Sequence, residues 1–188
     1  MRVVPGIAAL EAGIPFVAAI GVFDGVHLGH RGLIGRLVAT AREVGATPLV
    51  VTFDPHPQLL LSGRTPELLC SVEERVRRLG ALGVEIVVVQ PFTTELRMLS
   101  ADAFLDRLAA GRDLRGLVLS PESGFGHDRG GTLTGLAPRA ARDDWRLEAA
   151  PLVEVDGTRV SSRRIRALLD AGDRAAAEAL LGGTPRET

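Results

Sequence analysis

The chain contains no lysine, no asparagine and no tyrosine, and it has a single cysteine in 188 residues. Without lysine, neither a P-loop lysine nor a Schiff-base lysine is available, and any cationic contact with a phosphate falls to arginine or histidine. All 22 basic residues are arginine. The lone thiol, Cys70, excludes an intrachain disulfide framework and a cysteine-based zinc site, and reads as a small buried hydrophobe. An excess of either charge is missing too: the net charge is −1, which leaves no basic face for nucleic acid. Apolar runs such as Val84–Val89 and Val17–Ile20 are far too short to cross a bilayer. After Arg2, the residues Pro5, Gly6 and Glu11 interrupt any signal-like apolar stretch. The expectation is a cytoplasmic protein that meets small molecules, with no nucleic acid and no membrane among its partners.

With 46% hydrophobic residues the chain can bury a core of its own, and 1–188 reads as a single domain. Apolar, β-rich runs lie near Phe16–Gly21, Pro48–Phe53, Glu85–Val89, Gly116–Leu119 and Trp145–Ala149. Helical patterns at Arg31–Val44, Val72–Leu82, Ala101–Ala110 and Leu133–Arg142 separate them. An Ala-rich stretch, Ala167–Leu181, extends a helical segment over 161–182 that is expected to pack on the domain. Ser71 with Glu74 forms a capping-box pattern, and Ser100 is a plausible cap. This alternation predicts an α/β fold: a Rossmann-like, doubly wound parallel sheet of about five strands. Ligands then belong at the carboxyl ends of the strands.

The densest motif is Gly21-Val-Phe-Asp-Gly-Val-His-Leu-Gly-His30, between the first strand and the first helix. A helix start has unpaired N–H groups and a partial positive charge, so it suits a phosphate. His27 and His30 add two imidazole donors there, while Gly21, Gly25 and Gly29 permit close backbone approach. By itself an H-x-x-H pair is more often one cap and one exposed ring; the adjoining string and its strand–turn–helix setting reverse that in favour of phosphate. Asp24 reads either as a group near a metal-bound phosphate or as a turn former. Ser161, Ser162, Arg164 and Arg166 form a second cluster, which can cap a helix or hold phosphate oxygens. His56, stiffened by Pro55 and Pro57, and the glycine-rich loop Gly124-Phe-Gly-His-Asp-Arg-Gly-Gly131 follow two other strands.

Together these strings are similar to the FMN adenylyltransferase (FAD synthetase) module of bacterial bifunctional riboflavin kinase/FAD synthetase, in the HxGH nucleotidyltransferase superfamily. The matching strings are G-V-F-D-G-V-H-L-G-H, T-F-D-P-H-P, L-S-A-D-A-F-L-D, F-G-H-D-R-G-G and V-S-S-R-R-I-R-A-L-L-D-A-G-D, spread from about Val17 to Gly182. The resemblance implies transfer of AMP from ATP to FMN, giving FAD and pyrophosphate, with Mg²⁺ arriving with ATP and no metal ligand assigned to the protein. It implies that His27, His30 and Arg166 act catalytically, and that Gly21, Phe23, Asp24, Gly25, Gly29, Ser161, Ser162 and Arg164 bind the nucleotide. His56, Pro57, Phe125, Gly126 and Arg129 are then expected to line the flavin region. Three departures gather on the acceptor side: Val22 where the family has Asn, Arg163 where it has a small hydroxyl, and Ser120-Pro-Glu-Ser-Gly-Phe-Gly126 for G-x-D-F-R-F-G. They leave open another phosphorylated acceptor, with ATP or CTP as donor, or a catalytically weak nucleotide- or flavin-binding paralogue. No kinase barrel is expected after Gly183.

Overall fold

The computed structural model describes residues 1–183. Six parallel strands form the central sheet: β1 (Arg2–Val4), β2 (Pro15–Ile20), β3 (Thr47–Asp54), β4 (Ile86–Pro91), β5 (Asp113–Leu119) and β6 (Arg146–Ala149). Their order across the sheet is β1-β4-β3-β2-β5-β6. The sequence predicts about five strands; the sixth is β1, a three-residue edge strand too short to show any periodicity.

Both faces of the sheet are covered, which is why the strands read as continuous apolar runs. Successive β2 residues point to opposite faces. Val17 and Ala19 pack with Leu33, Ile34 and Leu37 of α1 (Leu28–Glu43) and with Leu79 of α3 (Val72–Ala81). Phe16, Ala18 and Ile20 pack with Phe104 and Leu105 of α5 (Ala101–Ala109) and Leu136 of α6 (Leu133–Arg142). Two short helices, α2 (Pro57–Ser62) and α4 (Thr94–Arg97), follow β3 and β4.

After β6 the chain forms a small antiparallel hairpin, β7 (Glu154–Val155) and β8 (Thr158–Arg159). The expected helical tail is two helices, α7 (Ser162–Asp170) and α8 (Arg174–Leu181), broken where Gly172 takes φ +79° and Asp173 caps the second. Ile165, Ala177, Leu180 and Leu181 bury against Leu69 and Val160. The chain leaves β2 for β3 on one side, and β5 later pairs on the other. The carboxyl end of β2 is therefore the switch point where a doubly wound sheet opens a crevice.

Candidate active site

The turn after β2 is held in an unusual backbone conformation. Phe23, Gly25 and Val26 take φ of 54°, 79° and 44°. For a β-branched residue such as Val26 this is a strained region, which persists only when the surroundings fix it. They do so from several directions. The Gly25 carbonyl accepts from Arg78 Nη1 at 2.9 Å, and the Val26 carbonyl from Arg31 Nε at 3.4 Å. Gly25 N–H donates to Cys70 Sγ at 3.2 Å. A Cβ on Gly25 would lie 2.9 Å from the Leu69 Cβ, so only glycine fits.

The strained turn delivers His27 to the N-cap of α1, where its Nδ1 accepts from His30 N–H at 3.3 Å. An accepting Nδ1 fixes the neutral tautomer, so His27 carries its proton on Nε2. The His27 and His30 rings stack with centroids 3.7 Å apart and 14° between planes, and Phe23 meets His30 edge-on. His30 Nδ1 is buried without a hydrogen-bond partner. Burial pushes the His27 pKa down to about 4, with Arg159 and Arg166 adding to the effect. His30 is held well below the ordinary histidine value by burial first, then by His27 and Arg75. Both imidazoles are neutral near neutral pH and serve as N–H donors.

That neutrality makes stability pH-dependent. Between pH 6.5 and about 4 the unfolded chain binds a proton that folded His27 refuses, so stability rises with pH across that window. For His27 alone the loss on acidification is about 3 kcal/mol. The expected result is a melting temperature that falls steadily as pH drops below 6.5. His27→Asn keeps a capping acceptor and should flatten that fall; an equally steep profile would refute the assignment.

The second cluster faces the same opening. Ser161 caps α7 by accepting from Arg164 N–H at 3.2 Å, and Ser162 Oγ donates to the Asp24 carbonyl at 3.2 Å. Gly29 lies so close to the preceding segment that a Cβ would sit 3.2 Å from the Val160 carbonyl oxygen. Two helix N-termini thus open on one cavity of about 270 Å³, lined by Gly21, Phe23, His27, Gly29, His30, Ser161 and Ser162. Arg159, at the end of the hairpin, also lines it and pairs with Glu122 across the opening. The lining carries the donors and the partial positive charge that an anionic polyphosphate requires.

A second cavity of about 610 Å³ adjoins it, and Ile20, Gly21, Glu122 and Ser123 line both. Phe53, Phe92, Phe104 and Phe125 give it apolar walls, and Arg97 and Arg129 stand at it. Its size and character suit a flat, largely apolar ring system.

Not every expected residue lines these cavities. Arg166, predicted on the phosphates, is instead paired with Asp24 and donates from Nε to the Glu67 carbonyl at 2.7 Å. Asp24 is 2% exposed and accepts from the amides of Leu69 and Cys70, so it anchors the turn rather than facing a ligand. Arg164 turns to the hairpin, where Nη1 donates to the carbonyls of Val155 and Thr158. Gly25 sits behind the cleft against Leu69. On the acceptor side Pro57, Phe125, Gly126 and Arg129 line the larger cavity. His56 is not among its lining residues; it caps α2 through Nδ1, which accepts from Gln58 N–H at 3.1 Å. Sequence reasoning missed Arg159 and Glu122 as lining residues, and three of the four phenylalanines.

Among the described residues no group of three or more His, Cys, Asp or Glu is placed to hold a metal ion. Glu122, which lines both cavities, and Asp24 in the turn are each engaged by an arginine.

The fold recurs in solved structures. Pantothenate synthetase from Thermus thermophilus matches with a TM-score of 0.51 at 19% identity, over 98% of this chain and 83% of that one, a likeness of fold alone. A protein from Streptococcus pneumoniae described as a macrolide-efflux protein matches more closely, with a TM-score of 0.85 and 26% identity over 96% of this chain and 59% of that one. Among the described residues no helix is long and apolar enough to cross a membrane. The FAD synthetase family profile matches residues 11–164, and the chain belongs to that family. The bifunctional riboflavin kinase/FMN adenylyltransferase of Pseudomonas fluorescens is 38% identical over 167 residues, which are 88% of this chain. The chain spans about half of that relative, 54% of its length.

Proposed function

We propose that this protein is an FMN adenylyltransferase: the phosphate of FMN attacks the α-phosphorus of MgATP, and pyrophosphate leaves. One P–O bond forms to the FMN phosphate oxygen, and the bond from the α-phosphorus to the bridging oxygen breaks. The observation that carries this reading is the shared floor of the two cavities at Ile20 and Gly21. It allows a triphosphate on the helix ends to meet a phosphate whose ring lies among the phenylalanines. His27 and His30 donate to the α-phosphate region, where charge develops as the leaving group departs. The Ser161 hydroxyl, whose own proton is free, and the backbone N–H groups of Ser162 and the N-terminus of α7 hold the distal phosphates, with Arg159 as their cation. Magnesium would come with the triphosphate as part of the substrate and would supply charge neutralisation on its oxygens. Catalysis by such a site is positioning and charge stabilisation. Residues 1–183 act as one catalytic unit, since α8 packs directly behind the turn, and a cytoplasmic location is in keeping with the proposed substrates.

The test is incubation with MgATP and FMN, following FAD and pyrophosphate together. Equimolar formation of both is expected. Pyrophosphate release only with a different phosphate ester would assign another acceptor, in keeping with Val22 at the wall of the larger cavity. No pyrophosphate with any acceptor would overturn the reading.

A further inference from the structure

The three arginines of α3 are not used alike. Arg77 and Arg78 both pair with Glu74. Arg75 turns inward and is 1% exposed. Its Nη1 donates to Thr52 Oγ1 and to the Phe53 carbonyl, both at 3.1 Å, while its Nε is buried without a partner. Among the described residues no carboxylate forms an ion pair with it. Glu74 is taken by its two neighbours, and Asp24 by Arg166 and the amides of Leu69 and Cys70. A guanidinium cannot shed its charge, so burying one without a counter-ion is strongly unfavourable.

Its location explains what the charge is for. Thr52 Oγ1, which Arg75 grips, donates in turn to the Val22 carbonyl at 2.8 Å. Val22 lines the larger cavity, next to Gly21, which lines both. Through Thr52 and Val22, Arg75 is therefore linked to the wall of the larger cavity beside the Gly21 junction, and its charge adds to burial in disfavouring protonation of His30 and His56.

We infer that Arg75 is a positioning residue of the transfer reaction: the substrate phosphates are its missing counter-ion, and its buried charge draws them to the junction while its fork holds the Thr52–Val22 link beside it. This rests on the adenylyl-transfer reading above. At a separation of several ångströms through protein, one buried charge changes affinity for a polyphosphate by about tenfold.

The experiment compares wild type, Arg75→Gln and Arg75→Lys in two measurements. One is the affinity for MgATP carrying a non-hydrolysable α,β linkage, and the other is the NMR titration of His30. Burial is the largest influence on that titration, and the charged or titratable groups that add to it are His27 from the turn and Arg75 from α3. Arg75→Gln is expected to weaken binding about tenfold and to move the His30 titration to higher pH, and Arg75→Lys to restore both. A purely structural arginine would make both variants less stable while leaving affinity and titration of the folded protein unchanged, and that result overturns the inference. If Arg75→Gln does not fold, Arg75→Lys carries the test. It loses the bonds to Thr52 and Phe53, yet should bind within about twofold of wild type; a loss nearer tenfold counts against the charge. Failure of wild type itself to bind the analogue would defeat the adenylyl-transfer reading, and this inference with it.

Discussion

Replacing His30 with alanine is expected to lower kcat by about 10²- to 10³-fold while weakening MgATP binding far less. The asymmetry follows from the state of the ring. His30 is buried at Nδ1, stacked on His27, and too strongly desolvated to carry a proton near neutral pH. It therefore brings no ionic attraction to the ground-state triphosphate. What a neutral N–H offers is a fixed dipole, and its worth grows as negative charge gathers on the oxygens between the α- and β-phosphates. The helix N-termini and Arg159 still hold the ground state when the ring is gone. Steady-state kinetics together with direct binding of the analogue separate the two quantities. Equal losses in kcat and affinity would make His30 a uniform binding group and remove it from the transition state.

The central sheet was legible because its strands are continuous apolar runs ended by glycine or proline, such as Phe16 to Gly21 and Pro48 to Phe53. The alternation of strand and helix follows from that pattern. What escaped has identifiable physical causes. β1 is three residues at the sheet edge with Val3 49% exposed, so neither period nor burial marks it. The β7–β8 hairpin did carry a signal, Asp156-Gly157, whose φ angles of 54° and 68° are those of a tight hairpin turn. With two residues on each side there was no alternation to support it, and Arg159 was overlooked with it. Arginine partners were the harder problem. Ser161 and Arg166 are close in sequence, which suggested a joint grip on phosphate, yet the decisive partner of Arg166 is 142 positions away. Likewise the four phenylalanines of the larger cavity come from four separate segments, and only the fold brings them together.

That distant partner supports the second large effect, from Asp24→Asn. The substitution should destabilise the fold by about 3 kcal/mol and remove most of the activity. Asp24 is the knot between the strained turn, the 67–70 segment and α7. Oδ1 accepts from Leu69 N–H at 3.0 Å and Cys70 N–H at 3.3 Å, Oδ2 pairs with Arg166, and its carbonyl accepts from Ser162 Oγ. Asparagine keeps the volume and one acceptor. Where the second oxygen stood it presents either an N–H facing the guanidinium donors of Arg166 or a weaker neutral oxygen, and the charge of Arg166 goes unanswered in both cases. The Arg166 side chain is 22% exposed, so solvent can take up part of the loss, which puts the effect at the lower end for a broken buried pair. Activity should suffer beyond the change in stability, because α7 starts at Ser162 and its N-terminus keeps its aim only while the knot holds. Urea unfolding gives the first quantity. Turnover measured where the variant is fully folded gives the second, and full activity there would mean that the ends of α1 and α7 hold their relative position without the Asp24–Arg166 pair.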